Sequence, residues 1–486
     1  MKDITVVTAD PVERSLAAVA ASGRVAAFVI VVPDGAPTDG APIAGVPTRR
    51  VATAQPGSAE VVGELLSGCD TPLLLEVHGD FDPHPTAIAR LANAVRQTGA
   101  AMAYGDYLDD GEPPTAHPLA PYQAGSLEDA FAFGPLRMWS TEVARRALED
   151  HGGLDGLQHH AWYDLRLKAA QTAPIVHLPE PLGVLVPTDV RASGQRVFDY
   201  LTAARERQVE AEQVCTAHLG RIGALLRGPF APYEAAGEFP VQATVFIPVR
   251  NRARTVLDAV NSALSQVTDF PFNVIVVDNH STDGSTDLLA AKAAEDPRLV
   301  HVRPTRQDLG IGGCWNEGAN HPQCGRYIVQ LDSDDIYAGT DTLQRMVHVL
   351  AEQRCGLAVG AYTLVNMKLE PIPPGLIDHR EWTDDNGPNN ALRIGGLGAP
   401  RAYATQLLRD NPFPNASYGE DYAAVLRVCR QYRVGRVYDS LYLCRRWEDN
   451  SDADLKPDVK ARYQTFKDRV RTLEIAARQH WNAHRG

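Results

Sequence analysis

An alternation of short apolar runs and amphipathic stretches in residues 241–450 restricts the fold more than any other feature of the sequence. The runs ATVFIPV at 243–249 and VIVVD at 274–278 have the length of strands and are rich in β-branched residues. Between them, residues 255–266 carry apolar side chains at helical spacing. A run that is apolar almost throughout is typical of a parallel strand covered on both faces. The pattern therefore predicts an α/β domain with a mostly parallel sheet.

The first 190 residues repeat the same order of elements. Residues 162–182 align without gaps with residues 421–441, and similar apolar runs precede both segments in the same order. We therefore infer two tandem copies of one α/β unit. The chain is predicted to consist of four segments: the first copy at 1–190, a charged helical and Pro/Gly-rich linker at 191–240, the second copy at 241–450, and a helical extension at 451–486.

The charge balance argues against two classes of partner. Lys and Arg total 47 against 60 Asp and Glu, a formal net charge of −13, whereas sequence-independent binding of nucleic acid or anionic lipid needs a basic surface. The seven cysteines are dispersed, which is typical of a reduced intracellular chain. No apolar run approaches the ~20 residues of a membrane helix, and the first residues lack the apolar stretch of a signal peptide. We expect a cytoplasmic protein without a transmembrane segment.

The most informative local feature is the acidic segment Leu331-Asp332-Ser333-Asp334-Asp335, which follows an apolar run directly. Neighbouring carboxylates repel one another, and a divalent cation is an effective way to neutralise them. Hard oxygen ligands suit Mg²⁺ or Mn²⁺. An acidic turn that caps a helix is the competing interpretation. A calcium EF-hand is excluded, because the segment lacks the Gly and Glu of that loop.

Polar residues also follow the first two strands of the second copy. Pro248, Arg250 and Asn251 end or follow the first strand, and Asp278 ends the second. Because ligands of open parallel sheets bind outside the carboxyl ends of the strands, these residues and Asp332 should converge on one crevice. Asp278 could accept a hydrogen bond from a base or ribose, or it could simply cap its strand.

Five motifs, taken together and in order, resemble the family 2 glycosyltransferases of GT-A fold. The resemblance covers about 241–450 and is carried by PVRN at 248–251, VVDNHSTDGS at 276–285, LGIGGCWNEGA at 309–319, VQLDSDD at 329–335 and YGEDY at 418–422. It implies two tandem GT-A-like, Rossmann-like domains, of which the second transfers a sugar from a nucleotide diphosphate donor to an acceptor hydroxyl with inversion. A UDP-sugar is the favoured donor. The acceptor, whether a glycan, a lipid-linked sugar, a small molecule or a protein, is left open.

The resemblance also implies roles for individual residues. Asp332 and Asp334 match the pair that holds Mn²⁺ or Mg²⁺ on the donor diphosphate. The residues that match the nucleotide-binding wall are Pro248, Arg250, Asn251 and Asp278, and Asp332 is also counted among the residues that bind the donor.

Glu420-Asp421 matches a motif of the family in which the Asp is the general base. Direct displacement needs the acceptor hydroxyl to lose its proton as it attacks, and one carboxylate in hydrogen-bonding distance can accept that proton. Without the other motifs, the pair would be interpreted as acids that favour a helix N-terminus.

The segment Arg445-Arg446-Trp447 departs from a common family pattern. Many relatives carry a His in this region that completes the metal shell, whereas this chain has Trp447. Arg446 is predicted to pair with the diphosphate and Trp447 to stack on a sugar, with surface packing as the alternative. The Gly-rich segment 395–403 is interpreted as a loop that lines the acceptor side or packs locally.

The first copy lacks this chemistry in the alignment. The aligned pairs are Asp332 with Val77, Asp334 with Gly79, Asp335 with Asp80, Glu420 with Ala161 and Asp421 with Trp162. We expect a degenerate copy that holds the acceptor, buttresses the catalytic copy or forms a homodimer. A different class of function, a non-catalytic scaffold that binds carbohydrate or nucleotide sugar, is the alternative hypothesis. A nucleotidyltransferase is disfavoured, because no Gly-rich basic loop follows the first strand.

Overall fold

The computed structural model describes residues 2–39, 41–186, 205–448, 450 and 455–484. Two compact units divide the chain: Met1–Leu225 with Asp454–Gly486, and Leu226–Ala453. The predicted boundary at residue 190 lies outside the described residues.

The first unit is built from short strands and amphipathic helices. Its strands are β1 Ile4–Thr8, β2 Val25–Val32, β3 Thr48–Ala52, β4 Leu73–Val77, β5 Asp80–Pro83, β6 Met102–Gly105, β7 Tyr107–Asp109, β8 Thr115–His117, β9 Leu136–Ser140, β10 Ile175–Leu178 and β11 Gly183–Val186. Its helices up to residue 225 are α1 Glu13–Ala20, α2 Ala59–Ser67, α3 Ala87–Thr98, α4 Thr141–His151, α5 Ala161–Thr172 and α6 Arg205–Arg221.

The strands of the first unit form two sheets. The larger has the order β10-β6-β9-β4-β1-β2-β3, in which only β9 runs antiparallel to its neighbours. The smaller has the order β5-β11-β7-β8.

The second unit has the same kind of architecture. Its strands are β12 Ala243–Val249, β13 Phe272–Asp278, β14 Leu299–Val302, β15 Tyr327–Gln330, β16 Ile336–Tyr337, β17 Leu357–Val365, β18 Pro371–Ile377, β19 Arg401–Ala404 and β20 Val434–Arg445. Its helices are α7 Val256–Leu264, α8 Ser285–Glu295, α9 Ile311–Asn320, α10 Thr342–Glu352, α11 Gly387–Asn390, α12 Thr405–Asp410 and α13 Glu420–Cys429.

The central sheet of the second unit has the order β14-β13-β12-β15-β19-β17-β20, extended by β16 and β18. Here too a single strand of that series, β19, runs antiparallel to both neighbours. Read from the opposite end, the order and directions equal those of the larger sheet in the first unit. The predicted α/β class with mostly parallel sheets is confirmed.

Burial explains why the sequence pattern of the strands was informative. β12 and β13 are buried along nearly their whole length, and α7 places Val256, Ala259, Val260 and Ala263 against them. Each fully buried Val or Leu side chain contributes about 1.5–3 kcal/mol relative to an exposed one. The polar residues at the carboxyl ends of the strands are thereby left at one edge of the sheet.

Strand register identifies counterparts in the two units. Leu73 of β4 lies opposite Ser140 of β9, and Tyr327 of β15 lies opposite Ala404 of β19. Ser140 and Ala404 each immediately precede a helix that begins with threonine. Leu73 and Tyr327 are therefore structurally equivalent.

The register corrects the expected pairing of the acidic residues by one position. Counted from the equivalent strand residues, Asp332 corresponds to His78 rather than Val77, and Asp334 corresponds to Asp80. The error arose because runs of apolar strand residues align almost equally well when shifted, whereas hydrogen bonding between strands permits one register.

The predicted C-terminal helix is present as α14 (Pro457–Ala483), and it packs in the first unit. Its Asp468 accepts a hydrogen bond of 2.8 Å from the Ser126 hydroxyl, and its fully buried Arg471 pairs with both Asp468 and Glu128. The helix backbone passes so close to Gly125 that an added Cβ would lie 2.1 Å from the Asp468 carbonyl oxygen. None of the helices in the described residues is long and apolar enough to cross a membrane.

Candidate functional site

Asp278 ends β13 and is completely buried. Its carboxylate accepts hydrogen bonds from the Ser281 backbone at 3.0 Å and from the Thr286 hydroxyl at 2.5 Å, and it lies 3.5 Å from His301 Nε2. Burial raises the pKa of Asp278, but the hydrogen bonds from Thr286 and Ser281 outweigh burial and lower it. The carboxylate thus fixes the loop that follows its strand.

The loop after β12 is joined to the loop after β13. Asn251, with φ of 54°, donates its backbone N–H to the Ser281 hydroxyl at 2.9 Å. Its side-chain oxygen accepts from the backbone N–H of Thr282 at 2.8 Å. Arg250 is exposed beside it, and Pro248 is half-buried. Pro248, Arg250, Asn251 and Asp278 therefore lie on adjoining loops at one sheet edge.

The acidic segment 332–335 follows β15. Gln330 donates its side-chain amide to Asp332 at 3.0 Å, and the Asp332 backbone donates to the Tyr442 hydroxyl at 2.9 Å. Burial, and then the charge of Asp334, raises the pKa of Asp332. Burial and the charges of Asp334 and Asp332 raise the pKa of Asp335 well above its usual range. The segment therefore carries more negative charge than its surroundings neutralise.

Basic and amide side chains surround Asp334 only loosely. Arg252 Nε and Asn450 Nδ2 each lie 3.4 Å from Asp334 Oδ2. Arg445 holds the acidic segment in place. Its backbone N–H donates to the Asp335 carboxylate at 2.7 Å, and its guanidinium donates to the Asp334 carbonyl oxygen. Arg445 is thus a positioning residue for the acidic segment.

Glu420 and Asp421 begin α13. Glu420 is buried and its Oε2 has no hydrogen-bond partner within the described residues, whereas the Asp421 side chain is 31% exposed. Burial, and then the charge of Asp421, raises the pKa of Glu420 to about 8. Near neutral pH Glu420 therefore retains its proton.

Arg401, the first residue of β19, is a buried cation that pairs with the second acid of the Glu420-Asp421 motif. Its guanidinium lies 2.8 Å from Asp421 Oδ2. Burial lowers the pKa of Arg401, but the charges of Asp421, Asp332 and Glu420 outweigh burial and raise it. The field of these acids thus keeps the guanidinium charged, and the ion pair holds Asp421.

A divalent cation fits the donor set of Asp332 and Asp334. Two carboxylates with excess negative charge supply hard oxygen ligands, which Mg²⁺ and Mn²⁺ accept together with water and phosphate oxygens. In the described part of the chain, no three His, Cys, Asp or Glu side chains are arranged to hold a metal ion. A cation at this place would therefore depend on ligands supplied by a bound substrate.

Trp447 is linked to Asp334 through Asn450, which contacts both residues. The Arg254 guanidinium stacks over its ring at 5.0 Å, and its backbone N–H donates to Asn450 at 2.7 Å. Trp447 Nε1 is buried and makes no hydrogen bond within the described residues. The neighbouring Arg446 donates its backbone N–H to the Val365 carbonyl at 2.7 Å.

Three residues that hold this site together are not among those predicted from the sequence: Arg252, Arg401 and Tyr442. Arg401 lies in the Gly-rich segment 395–403, part of which forms β19. A single Arg next to apolar strand residues is a signal that could have identified it, since a buried charge needs a partner. Nothing local to Arg252 or Tyr442 indicated their contacts with the acidic segment.

Residues 244–412 match the model of glycosyl transferase family 2. This part of the chain is similar to glycosyl transferase family 2. The match includes Asp278, Asp332, Asp334 and Arg401, and it ends before Glu420.

Curated relatives with glycosyl transferase names match this chain over part of their length. TuaG of Bacillus subtilis, assigned by name to teichuronic acid biosynthesis, is 29% identical over 154 residues, 32% of this chain and 59% of that protein. The poly(ribitol-phosphate) beta-glucosyltransferase of Bacillus spizizenii is 25% identical over 210 residues, 42% of this chain and 32% of that protein. This chain thus spans less than two thirds of either relative.

Solved structures of glycosyl transferases are also similar. Staphylococcus aureus TarS 1–349 in complex with UDP-GlcNAc has a TM-score of 0.36 at 21% identity, covering 48% of this chain and 66% of that one. Glucosyl-3-phosphoglycerate synthase of Mycobacterium tuberculosis has a TM-score of 0.36 at 17% identity, covering 49% of this chain and 80% of that one.

Proposed function

We propose that the second unit is a metal-dependent inverting glycosyltransferase that moves a sugar from a nucleotide diphosphate donor to an acceptor hydroxyl. The observation that carries the proposal is the 2.8 Å ion pair of the buried Arg401 with Asp421 of the Glu420-Asp421 motif, at a place where the charge of Asp332 also acts on Arg401. The match of residues 244–412 to glycosyl transferase family 2 supports it. UDP-sugars are the donors to test first.

Asp421 is assigned as the general base. Its side chain is partly exposed, so that an acceptor hydroxyl can reach it, and Glu420 beside it retains its proton near neutral pH. The acceptor oxygen forms a bond to the anomeric carbon as the bond from that carbon to the diphosphate oxygen breaks. The hydroxyl proton passes to Asp421, and the nucleotide diphosphate leaves with the bonding electrons.

Asp332 and Asp334 are assigned to hold Mn²⁺ or Mg²⁺. A bound divalent cation stabilises the negative charge that develops on the leaving diphosphate. Arg401 acts as a positioning residue, because its ion pair at 2.8 Å holds the Asp421 carboxylate.

The loops after β12 and β13 are assigned to the nucleotide. Pro248, Arg250, Asn251 and Asp278 lie on adjoining loops at the carboxyl ends of parallel strands, where nucleotides bind in open α/β sheets. The completely buried Asp278 shapes the loop through its hydrogen bonds to Ser281 and Thr286. The exposed Arg250 is free to approach a phosphate or a base edge, and Arg446 is assigned to the diphosphate.

The test is a screen of nucleotide sugars for donor hydrolysis and transfer by the full chain with Mn²⁺ or Mg²⁺. We expect activity with at least one donor, its loss on chelation, and a fall of about 10²–10⁴-fold in Asp421→Asn. Asp287→Asn is the matched control, since Asp287 is an exposed first-turn acid of α8.

Two outcomes would overturn the proposal. Full activity of Asp421→Asn would exclude Asp421 as the base. Tight, metal-independent binding of a nucleotide sugar without turnover would instead support the non-catalytic scaffold.

A further inference from the structure

The first unit contains a cavity of 740 Å³. It lies where β3 ends and α2 begins, and the loop before α5 forms its opposite wall. Its volume is in the range of about 300–1,000 Å³ that small-ligand sites occupy. The carboxyl ends of parallel strands are the usual position of ligand sites in open α/β sheets.

The wall formed by residues 154–158 is held rigidly. Glu210 of α6 accepts hydrogen bonds from three successive backbone N–H groups, those of Gln158, His159 and His160, at 2.7–2.8 Å. The Ala59 backbone donates to the Leu157 carbonyl at 2.8 Å, which ties the wall to α2. A cavity whose walls are fixed in this way is preformed, and a ligand does not have to order them.

The lining combines hydrogen-bonding groups with aliphatic surface. Hydroxyl and amide groups come from Thr53, Ser58, Gln55 and Gln158, and Val51, Leu148 and Leu154 supply apolar contacts. Such a mixture suits a molecule with hydroxyl groups around a carbon ring.

Charge decides the class of ligand. Four carboxylates and no Lys, Arg or His side chain lie among the described residues that line the cavity. Glu64 pairs with Arg49, whereas the side chains of Asp34, Glu60 and Asp155 make no hydrogen bond or ion pair within the described part of the chain. Unpaired carboxylates accept hydrogen bonds from hydroxyl and amino groups and repel phosphate and carboxylate ligands.

We propose that this cavity is a binding site for a non-acidic glycan, one that presents hydroxyl, acetamido or amino groups. The site is distinct from the proposed transfer site, and it would let the first unit hold a carbohydrate chain while the second unit reacts. Binding at the cavity does not depend on the proposed function, because it requires no donor and no metal.

The experiment uses the full chain carrying Asp421→Asn, applied to an array of neutral, amine-bearing and acidic glycans. Hits are then measured by titration calorimetry, with chitotriose, its deacetylated trimer and trigalacturonate as the reference set. We expect neutral or amine-bearing glycans to bind at least tenfold more tightly than acidic ones.

Gly63→Leu tests the location. Gly63 of α2 lines the cavity, and a Cβ added there meets no atom within 4 Å, so that the larger side chain fills the cavity without a clash at its base. Leu also favours the helix over Gly by roughly 0.5–1 kcal/mol, so we expect a folded variant. Binding should weaken at least tenfold in Gly63→Leu and remain in Gly63→Ala.

The double variant Glu60→Gln/Asp155→Asn tests whether the carboxylates that line the cavity contribute to glycan binding. Glu142→Gln is the control. Glu142 is an exposed first-turn acid of α4, as Glu60 is of α2, but it does not line the cavity. The double variant should weaken binding at least tenfold, and the control should not.

Four results would overturn the proposal. Two concern the glycans: no non-acidic glycan binds, or acidic glycans bind equally well. The others are that spermidine, a polyamine without a sugar ring, binds as tightly as the amine-bearing trimer, or that Gly63→Leu binds glycans as the parent chain does. Sugar transfer is measured separately in the wild-type chain. A failure to detect transfer therefore does not contradict glycan binding at the cavity, and a failure to detect binding does not contradict transfer.

Discussion

The two units share a sheet of the same strand order and directions, yet they differ at the carboxyl ends of the strands. Where the second unit has Asp332, the first has His78, which lies 3.2 Å from Glu76. Where the second has Glu420-Asp421 at the start of α13, the first has Ala161-Trp162 at the start of α5. The framework thus tolerates loss of the acids, because burial of the strands and helices, rather than the site, stabilises the fold.

Arginine at the start of the antiparallel strand is common to both units. The register makes Arg137 the counterpart of Arg401, and Glu76 the counterpart of Gln330. Arg137 lies 3.6 Å from the buried Glu76, whereas Arg401 pairs with Asp421. The arginine at this position therefore pairs with a structural acid, Glu76, in the first unit and with the proposed general base, Asp421, in the second.

Paired substitutions of acids give the largest expected contrast. Asp334→Ala should lower kcat/KM by about 10²–10³-fold, since it removes a proposed ligand of the cation that stabilises the transition state. Its counterpart Asp80→Ala removes contacts with Arg14 and Ser15 near the surface and should leave kcat/KM unchanged. Steady-state kinetics of the two variants would measure this contrast, and equal losses would contradict it.

Paired substitutions of the two arginines should separate activity from stability. Arg401→Met should lower kcat by about tenfold or more, because Asp421 loses the ion pair that positions it. Arg137→Met removes the guanidinium beside Glu76, which keeps its contacts with His78 and Trp139, and should cost about 1–3 kcal/mol of unfolding free energy, with transfer activity retained. Denaturant unfolding and kinetics on both variants check the prediction. A catalytic defect in Arg137→Met alone would reverse the assignment.

Two glycines, one in each unit, that precede a helix and approach backbone closely should behave alike in stability and differently in activity. A Cβ on Gly57 would lie 2.3 Å from the His159 carbonyl oxygen, and one on Gly310 would lie 2.6 Å from the Ala416 carbonyl carbon. Each alanine variant should cost about 1–3 kcal/mol, because backbone must move. Only Gly310→Ala should also reduce transfer, since Ala416 belongs to the loop that leads into Glu420. Thermal unfolding with parallel assays distinguishes the two.

The smallest effect concerns pH and the first unit. Burial raises the pKa of Asp468 to about 6, even though Arg471 opposes the shift. A raised pKa in the folded state means that this carboxyl group contributes stability at low pH, which is lost as the pH rises from about 4 to about 6. From Asp468 alone we expect a loss of about 2 kcal/mol over that interval. Unfolding measured across this range should show a smaller slope in Asp468→Asn; an identical slope would exclude Asp468 as its source.

Much of the architecture was readable from the sequence because it depends on local patterns. Continuous apolar runs such as VIVVD predict buried parallel strands wherever they occur, and the gapless match of 162–182 with 421–441 indicated equivalent helices, which begin at Ala161 and Glu420. The acidic segment after β15 was identifiable for the same reason, since three neighbouring carboxylates stand out in any context.

Other features exist only in three dimensions. The ion pair of Arg401 with Asp421 joins residues on different elements, and the register that matches Asp332 with His78 depends on hydrogen bonds between strands rather than on residue type. The cavity beside α2 arises from the approach of the loop before α5. The sequence by itself determined the α/β class, the repeat and the acidic motifs, because each depends on the spacing of residues that are close together in the chain. Only the tertiary structure decided which charges meet and where a cavity opens, since both depend on packing between segments far apart in the chain.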